Sequence, residues 1–415
     1  MIDRRNFHLF QPLLYQVATG SLSPGEICAP LRSILSRQKN TRVLLGEAAD
    51  IDPHAHKLTL ADGGTFDYDS LIVATGSKTT YFGNDAWGEW APSLKSVEEA
   101  TAIRQKIFFA FEAAERTSDP AARCAWLTFV IVGGGATGVE LAGALGEIAR
   151  HTLKHDFRSI RPADAQILIL DGSPRLLSTY PEELSARAEK SLLHLGVRVR
   201  CGVKVVEMDP DGVSFHGADG QPQRLEAKTL LWAGGVTPSD FGRTLAAKTN
   251  AGTSKQGHIR VNPDLTIPGF PEIYVVGDLA EFPGPDGKPL PGVAQVAMQG
   301  GAYAASAIQK RLHGPKELPP FHYFDKGDLA VIGRGAAVAR IFGLHLSGLP
   351  AWLVWLFVHL MYLVQFQSRI LVFVQWGFQY LTFSRGARLI TGRTAADAIA
   401  MEEHPRNDLS GQLLR

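Results

Sequence analysis

Four stretches of the chain run through β-branched and aromatic apolar residues and stop at a glycine-containing turn: YDSLIVATGS (68–77), LTFVIVGGGATG (127–138), TLLWAGGVTP (229–238) and EIYVVGDLAE (272–281). An unbroken apolar run has no solvent-facing side, so these four read as buried strands of parallel sheet. Helical spacing fills the intervals, notably Gly138 to Arg150 and Glu182 to Leu195. Strand alternating with helix predicts a doubly wound α/β fold. Two stretches interrupt that rhythm. Residues 42–69 alternate polar and apolar around Asp62-Gly63-Gly64, and residues 202–220 do the same around Asp211-Gly212. Each predicts an antiparallel insertion ahead of a closing strand. Because both insertions lead into an apolar strand and a glycine turn, the chain is expected to hold two related dinucleotide-binding halves.

The pattern changes after the prolines at 315, 319 and 320. Between Leu349 and Phe383 the one formally charged side chain is Arg369, expected to split two helical runs, 351–366 and 370–383, with Pro350 in a first turn where it is tolerated. A bilayer span needs about 20 apolar residues and each run is shorter, so the expectation is a helical region lying in the membrane interface. Trp352, Trp355, Tyr362, Trp376 and Tyr380 would sit at the headgroup level, and Arg385, Arg388 and Arg393 would meet lipid phosphates. Buried core helices, a homodimer interface, or a true span reaching Gln367 are the alternatives. The tail beyond Met401 reads as disordered.

Composition narrows the function. A formal charge of +1 offers no field to recruit nucleic acid. Cys28, Cys124 and Cys201 are isolated and odd in number, against a disulfide framework or metal site. The first residues, MIDRRNFHLF, carry no secretory pattern, which predicts a cytoplasmic location for the bulk of the chain.

The strongest chemical signal is Gly133-x-Gly135-x-x-Gly138, directly after an apolar strand and opening a helix. A tight turn, a close backbone approach and a helix amino terminus are what a pyrophosphate needs. The next strand ends at Asp171, placed to accept hydrogen bonds from an adenosine ribose; a carboxylate there favours NADH over NADPH, although Arg175 lies close in sequence. The alternative for Asp171 is a strand-end cap. Glu140 either faces the nicotinamide or flavin edge, orienting a carboxamide or relaying a proton, or complements the helix dipole.

The run NFHLFQPLLYQVATGSLSP (6–24), the ATGS turn, VIVGGGATGVELAGAL, LLWAGGV, VVGDLAEF, PGVAQVAMQGGAYAA and DKGDLAVIGRGAAVA together resemble the type II NADH dehydrogenases, in that family's order and over nearly the whole chain. The resemblance implies two Rossmann-like domains and a carboxyl-terminal amphipathic membrane-binding region. It also implies transfer of two electrons from NADH through FAD to a membrane quinone, without proton pumping, at the cytoplasmic face of the membrane. It divides the chain into a first FAD segment (1–95), an NADH domain (96–235), a second FAD segment (236–315), a membrane-binding region (316–395) and a tail (396–415). Ala74, Thr75, Gly76, Gly277 and Asp278 would hold FAD, with Ala294 opening a helix aimed at the isoalloxazine. Gln295 and Gln299 would face the quinone, and Lys326 would lie near flavin or quinone, unless the two amides are ordinary polar helix residues. Asp3 corresponds to the acid that binds the FAD adenosine ribose. In the family a strand and a further glycine turn precede that acid, so the FAD sheet is expected to lack its innermost strand here. Two other functions compete: a non-catalytic, membrane-associated NADH-binding remnant, and a sulfide:quinone oxidoreductase, which would need a cysteine pair beside the flavin.

Overall fold

A computed structural model describes residues 1–285, 287–314 and 319–391. Its centre is a four-stranded parallel sheet of β5 (Thr128–Val132), β6 (Gln166–Asp171), β7 (Val197–Cys201) and β8 (Thr229–Trp232), in the order β7-β6-β5-β8. Every residue of β5 and of β8 is buried, the reason both read as unbroken apolar runs. Helix α1 (Val97–Arg116) precedes this sheet. Helix α2 (Ala136–Glu147) follows β5, and α3 (Glu182–His194) follows β6. Helix α2 starts two residues earlier than its spacing suggested, because extended Gly135 serves as its amino-terminal cap; beyond Glu147 it loosens into a π-type turn over Ile148–Thr152.

The second nucleotide-binding half is built from segments on either side of this sheet. Strand β1 (Ile2–Asp3) pairs in parallel with β2 (Leu44–Leu45), and β3 (Leu71–Val73) with β11 (Phe270–Val275), which also carries β10 (Thr266–Ile267). Among the described residues, β1 and β3 each keep one edge without a partner strand. The two predicted insertions are three-stranded antiparallel sheets, at 48–67 and 204–226. A short antiparallel pair, β4 (Ser77–Thr79) with β9 (Val236–Pro238), joins the halves.

Helix α4 (Ala294–His313) leads to a meander of β12 (Asp328–Gly333), β13 (Ala336–Ile341) and β14 (Leu344–Gly348), and then to α5 (Leu349–Tyr362) and α6 (Phe366–Thr382). Pro350 occupies the first turn of α5 as expected. Arg369 does not divide the two runs. The break falls at 363–365, and Arg369, inside α6, donates from Nε to the Leu363 carbonyl 2.7 Å away, capping the end of α5. Nor do all the aromatics face outward. Trp355 and Trp376 are buried with their rings tilted against each other at 5.2 Å, and Trp376 Nε1 donates to Gln16 Oε1. The outward face instead carries Leu349, Leu353, Phe357 and Met361 at four-residue spacing, and Phe366, Ile370, Phe373 and Phe378, all exposed. No helix among the described residues is long and apolar enough to cross a membrane. The residues of the expected disordered tail lie outside those described.

Candidate functional site: a dinucleotide crevice facing a flavin cavity

At the carboxyl end of the central sheet, the chain order reverses between β5 and β8, where open α/β sheets bind their ligands. Gly133 has φ +116°, and a Cβ there would come within 2.6 Å of the Ala233 backbone. A Cβ on Gly138 would overlap the Gly133 carbonyl oxygen, so that glycine allows α2 to abut the strand. Around Gly135 there is open space, and its neighbouring backbone amides at the start of α2 have no side-chain cap. An uncapped helix amino terminus with free space before it suits a phosphate.

Asp171 closes one end of this crevice. Its carboxylate accepts from the Gly134 N–H and from the Ser173 N–H, the latter at 2.6 Å. It therefore caps its own strand and holds the glycine turn, and its remaining lone pairs are what a ribose would use. Arg175 is committed elsewhere, donating to the carbonyls of Leu177, Ser178 and Tyr180. Three of its five N–H donors are thus engaged within the protein.

At the β4–β9 junction, a cavity of about 290 Å³ is lined by Ser77, Val236, Gly277, Asp278, Gly292 and Val296 among others. Gly277, at φ +70°, approaches Ala297 of α4. The Asp278 carboxylate accepts from Ser77 Oγ at 2.6 Å, and the Lys95 ammonium stands 3.8 Å away, itself donating to Ser77. Helix α4 begins at Ala294 without a side-chain cap. A carboxylate facing the cavity, a left-handed glycine and an uncapped helix end fit a ribityl chain and the electron-rich edge of a reduced flavin. Gly76 (φ +66°) accepts from the Ser239 N–H, and Thr75 Oγ1 meets Ser239 Oγ at 2.6 Å; with Ala74 these residues form the turn after β3. Asp3 lies at the end of β1 and accepts from the Arg5 N–H.

Gln295 and Gln299 lie one turn apart on α4, but their amides are already engaged. Gln295 donates to the Gly327 carbonyl and accepts from the Lys326 N–H, while Gln299 donates to the Phe324 carbonyl and accepts from the Phe324 N–H. They clamp the segment 324–327 onto α4. Lys326 thereby reaches α5, donating to the Tyr362 hydroxyl at 3.0 Å.

Glu140 is half-buried on α2, beyond the first turn where a carboxylate would complement the helix dipole. Burial pushes its carboxyl up to about 8, opposed only by a long 3.5 Å contact with the Val331 N–H. It lines a cavity of about 110 Å³ between α2, β12 and the two carboxyl-terminal helices, together with Tyr15, Gln16, Glu147, Trp355 and Arg385. Arg385 does not meet lipid. Its guanidinium is buried, pairs with Glu147 at 2.8 Å and donates to Thr19 and Ser21. Arg388 pairs with Asp156, and Arg393 lies outside the described residues. The roles of Ser77, Lys95 and Glu147 were not singled out from sequence, where nothing distinguishes them from ordinary loop and surface residues, and Arg385 was expected at lipid rather than beside Glu147. The three cysteines are free and none lines the flavin-side cavity. Among the described residues no cluster could hold a metal.

A crevice suited to one dinucleotide and a cavity suited to a second, with a two-strand junction beside them, are features of a two-nucleotide oxidoreductase; the family model of the pyridine nucleotide-disulphide oxidoreductases matches residues 1–301. Two curated relatives, the type II NADH:quinone oxidoreductases Ndh and NdhA of Mycobacterium tuberculosis, are 44% and 43% identical to this chain, covering 97% and 95% of it and 87% and 84% of their own lengths. The chain belongs to the type II NADH:quinone oxidoreductases of that larger family. Its fold is that of NDH2 from Plasmodium falciparum, solved in complex with NADH (TM-score 0.84, 20% identity, 94% of each chain). It is more distantly that of the sulfide:quinone oxidoreductase from Aquifex aeolicus (TM-score 0.68, 17% identity, 97% of this chain and 88% of that one).

Proposed function

We propose that this chain oxidises NADH in the crevice at 133–138, hands the electron pair to FAD held around Asp278, and reduces a quinone that arrives from a membrane surface. The observation that carries the reading is that β4 and β9, the latter following directly on the crevice strand β8, line the cavity that holds Asp278. Bound FAD supplies the chemistry of accepting a hydride and returning two electrons. The chain supplies position. Gly135 and the start of α2 take the pyrophosphate, and Asp171 takes the adenosine ribose. Asp278, steadied by Ser77 and Lys95, holds the ribityl chain, with Ala74, Thr75, Gly76 and Gly277 giving backbone contact and Asp3 the FAD ribose. Segments 1–95 and 236–315 form the FAD half, 96–235 the NADH half and 316–395 the membrane-binding part.

Glu140, uncharged at neutral pH, is placed to hold and release a proton for the quinone. Gln295, Gln299 and Lys326 shape the quinone side by fixing 324–327 against α4. The apolar faces of α5 and α6 seat the protein peripherally on lipid, at the cytoplasmic face. The test is a turnover assay of the flavin-loaded protein with NADH and a water-soluble quinone. Turnover that favours NADH over NADPH is expected; flavin-loaded protein that fails to oxidise NADH overturns the reading.

A further inference from the structure

The crevice has a side chain whose placement the nucleotide contacts above do not explain. Phe82 is 69% exposed, although its position joins the two halves of the molecule. Its backbone is left-handed (φ +53°), a conformation L side chains seldom adopt unless their surroundings impose it. Here they do. The Phe82 N–H donates to Thr80 Oγ1, the Thr80 N–H donates to the Gly235 carbonyl, and Trp232 Nε1 donates to the Thr80 carbonyl at 3.0 Å. The turn is thus tied to the end of β8, and the ring is held edge-on to Trp232 at 6.1 Å. It lies against Gly235, where a Cβ would collide with the ring.

Its position relative to the ligand follows from the sheet. A dinucleotide centred on the turn after β5 sends one half over β6, where Asp171 marks the adenosine, and the other over β8. Beyond the end of β8 lie Ala233, Gly234 and Gly235, and over Gly235 lies the ring of Phe82. The next residue, Val236, is 52% exposed and lines the cavity that holds Asp278. The ring therefore stands where the reactive end of the dinucleotide has to meet the flavin. An exposed aromatic, fixed by hydrogen bonds and resting on glycine, is a flat platform that costs little ordering on binding.

We propose that Phe82 is a binding residue for the nicotinamide half of NADH, packing its ring on the nicotinamide riboside as it crosses Gly235 towards the flavin. This rests on the assignment of the 133–138 crevice to NADH. The test is calorimetric binding of NAD⁺ and of ADP-ribose, which lacks the nicotinamide, to wild-type, Phe82→Ala and Phe82→Tyr proteins, with KM for NADH and for quinone measured alongside. Phe82→Ala is expected to bind NAD⁺ about tenfold more weakly, the size of one aromatic stacking contact. It should bind ADP-ribose as wild type does and raise KM for NADH but not for quinone, while Phe82→Tyr restores NAD⁺ binding. Unchanged NAD⁺ affinity in Phe82→Ala, equal losses for both ligands, or failure of Phe82→Tyr to restore binding would overturn the proposal. Wild-type protein that binds neither ligand overturns the NADH assignment itself, a distinguishable result.

Discussion

Glu140 shows how one desolvated carboxyl sets a pH response. Its folded-state value of about 8 lies above the ordinary 4.5, so between those values the folded protein keeps a proton that the unfolded chain has lost. Stability from this group is complete below about pH 4.5 and falls by about 1.4 kcal/mol per pH unit as pH rises towards 8. Glu140→Gln removes the titration. Its stability relative to wild type is therefore expected to rise steadily from pH 5 to pH 8 in denaturant unfolding series; parallel profiles for the two proteins would contradict the burial argument. Gly138 tests the crevice at the same scale. Gly138→Ala forces a methyl group into the Gly133 carbonyl and is expected to weaken NADH binding by about 3 kcal/mol, on the order of a hundredfold in Kd. Flavin content should stay unchanged, since Gly138 does not line the Asp278 cavity. Loss of flavin in this variant would show that the two sites are not independent.

Among the elements, β5, β6 and β8 of the central sheet were the most legible in the sequence, because strands buried on both faces leave few polar positions; edge strand β7, where arginines alternate with apolar residues, was not read. The two antiparallel insertions were legible for the opposite reason, their regular alternation around Asp-Gly turns. The meander at 328–348 was not. It was met only as the motif DKGDLAVIGRGAAVA, though its turns at Gly335 and Gly343, both at positive φ, are a hairpin signal in retrospect. The carboxyl-terminal helices were read as helices, but aromatic content alone does not tell which side of an amphipathic helix packs inward. Trp355 and Trp376 turned inward and Arg385 found Glu147, a partner 238 residues away that no local pattern reveals. That pair ties α6 and its following turn to α2. Removing one partner leaves a buried charge, so Arg385→Ala is expected to cost about 3 kcal/mol in stability, measurable by thermal unfolding. Replacing both residues by apolar ones should recover much of the loss.

The molecule as a whole presents two working surfaces, the nucleotide crevice and the apolar faces of α5 and α6, joined by β12 and segment 324–327. Their separation predicts separable defects. Leu353→Ser with Phe357→Ser, on the outward face of α5, should reduce sedimentation with phospholipid vesicles while leaving NADH oxidation with a water-soluble quinone near wild-type rates. Equal vesicle binding would place the lipid contact elsewhere. The central claim, that electrons pass from NADH in one half to flavin in the other and then to quinone, is tested most directly by anaerobic rapid mixing of the flavin-loaded protein. One equivalent of NADH should bleach the visible flavin band, and one equivalent of quinone should restore it. A band that NADH leaves intact, or that stays bleached after quinone is added, would contradict the account.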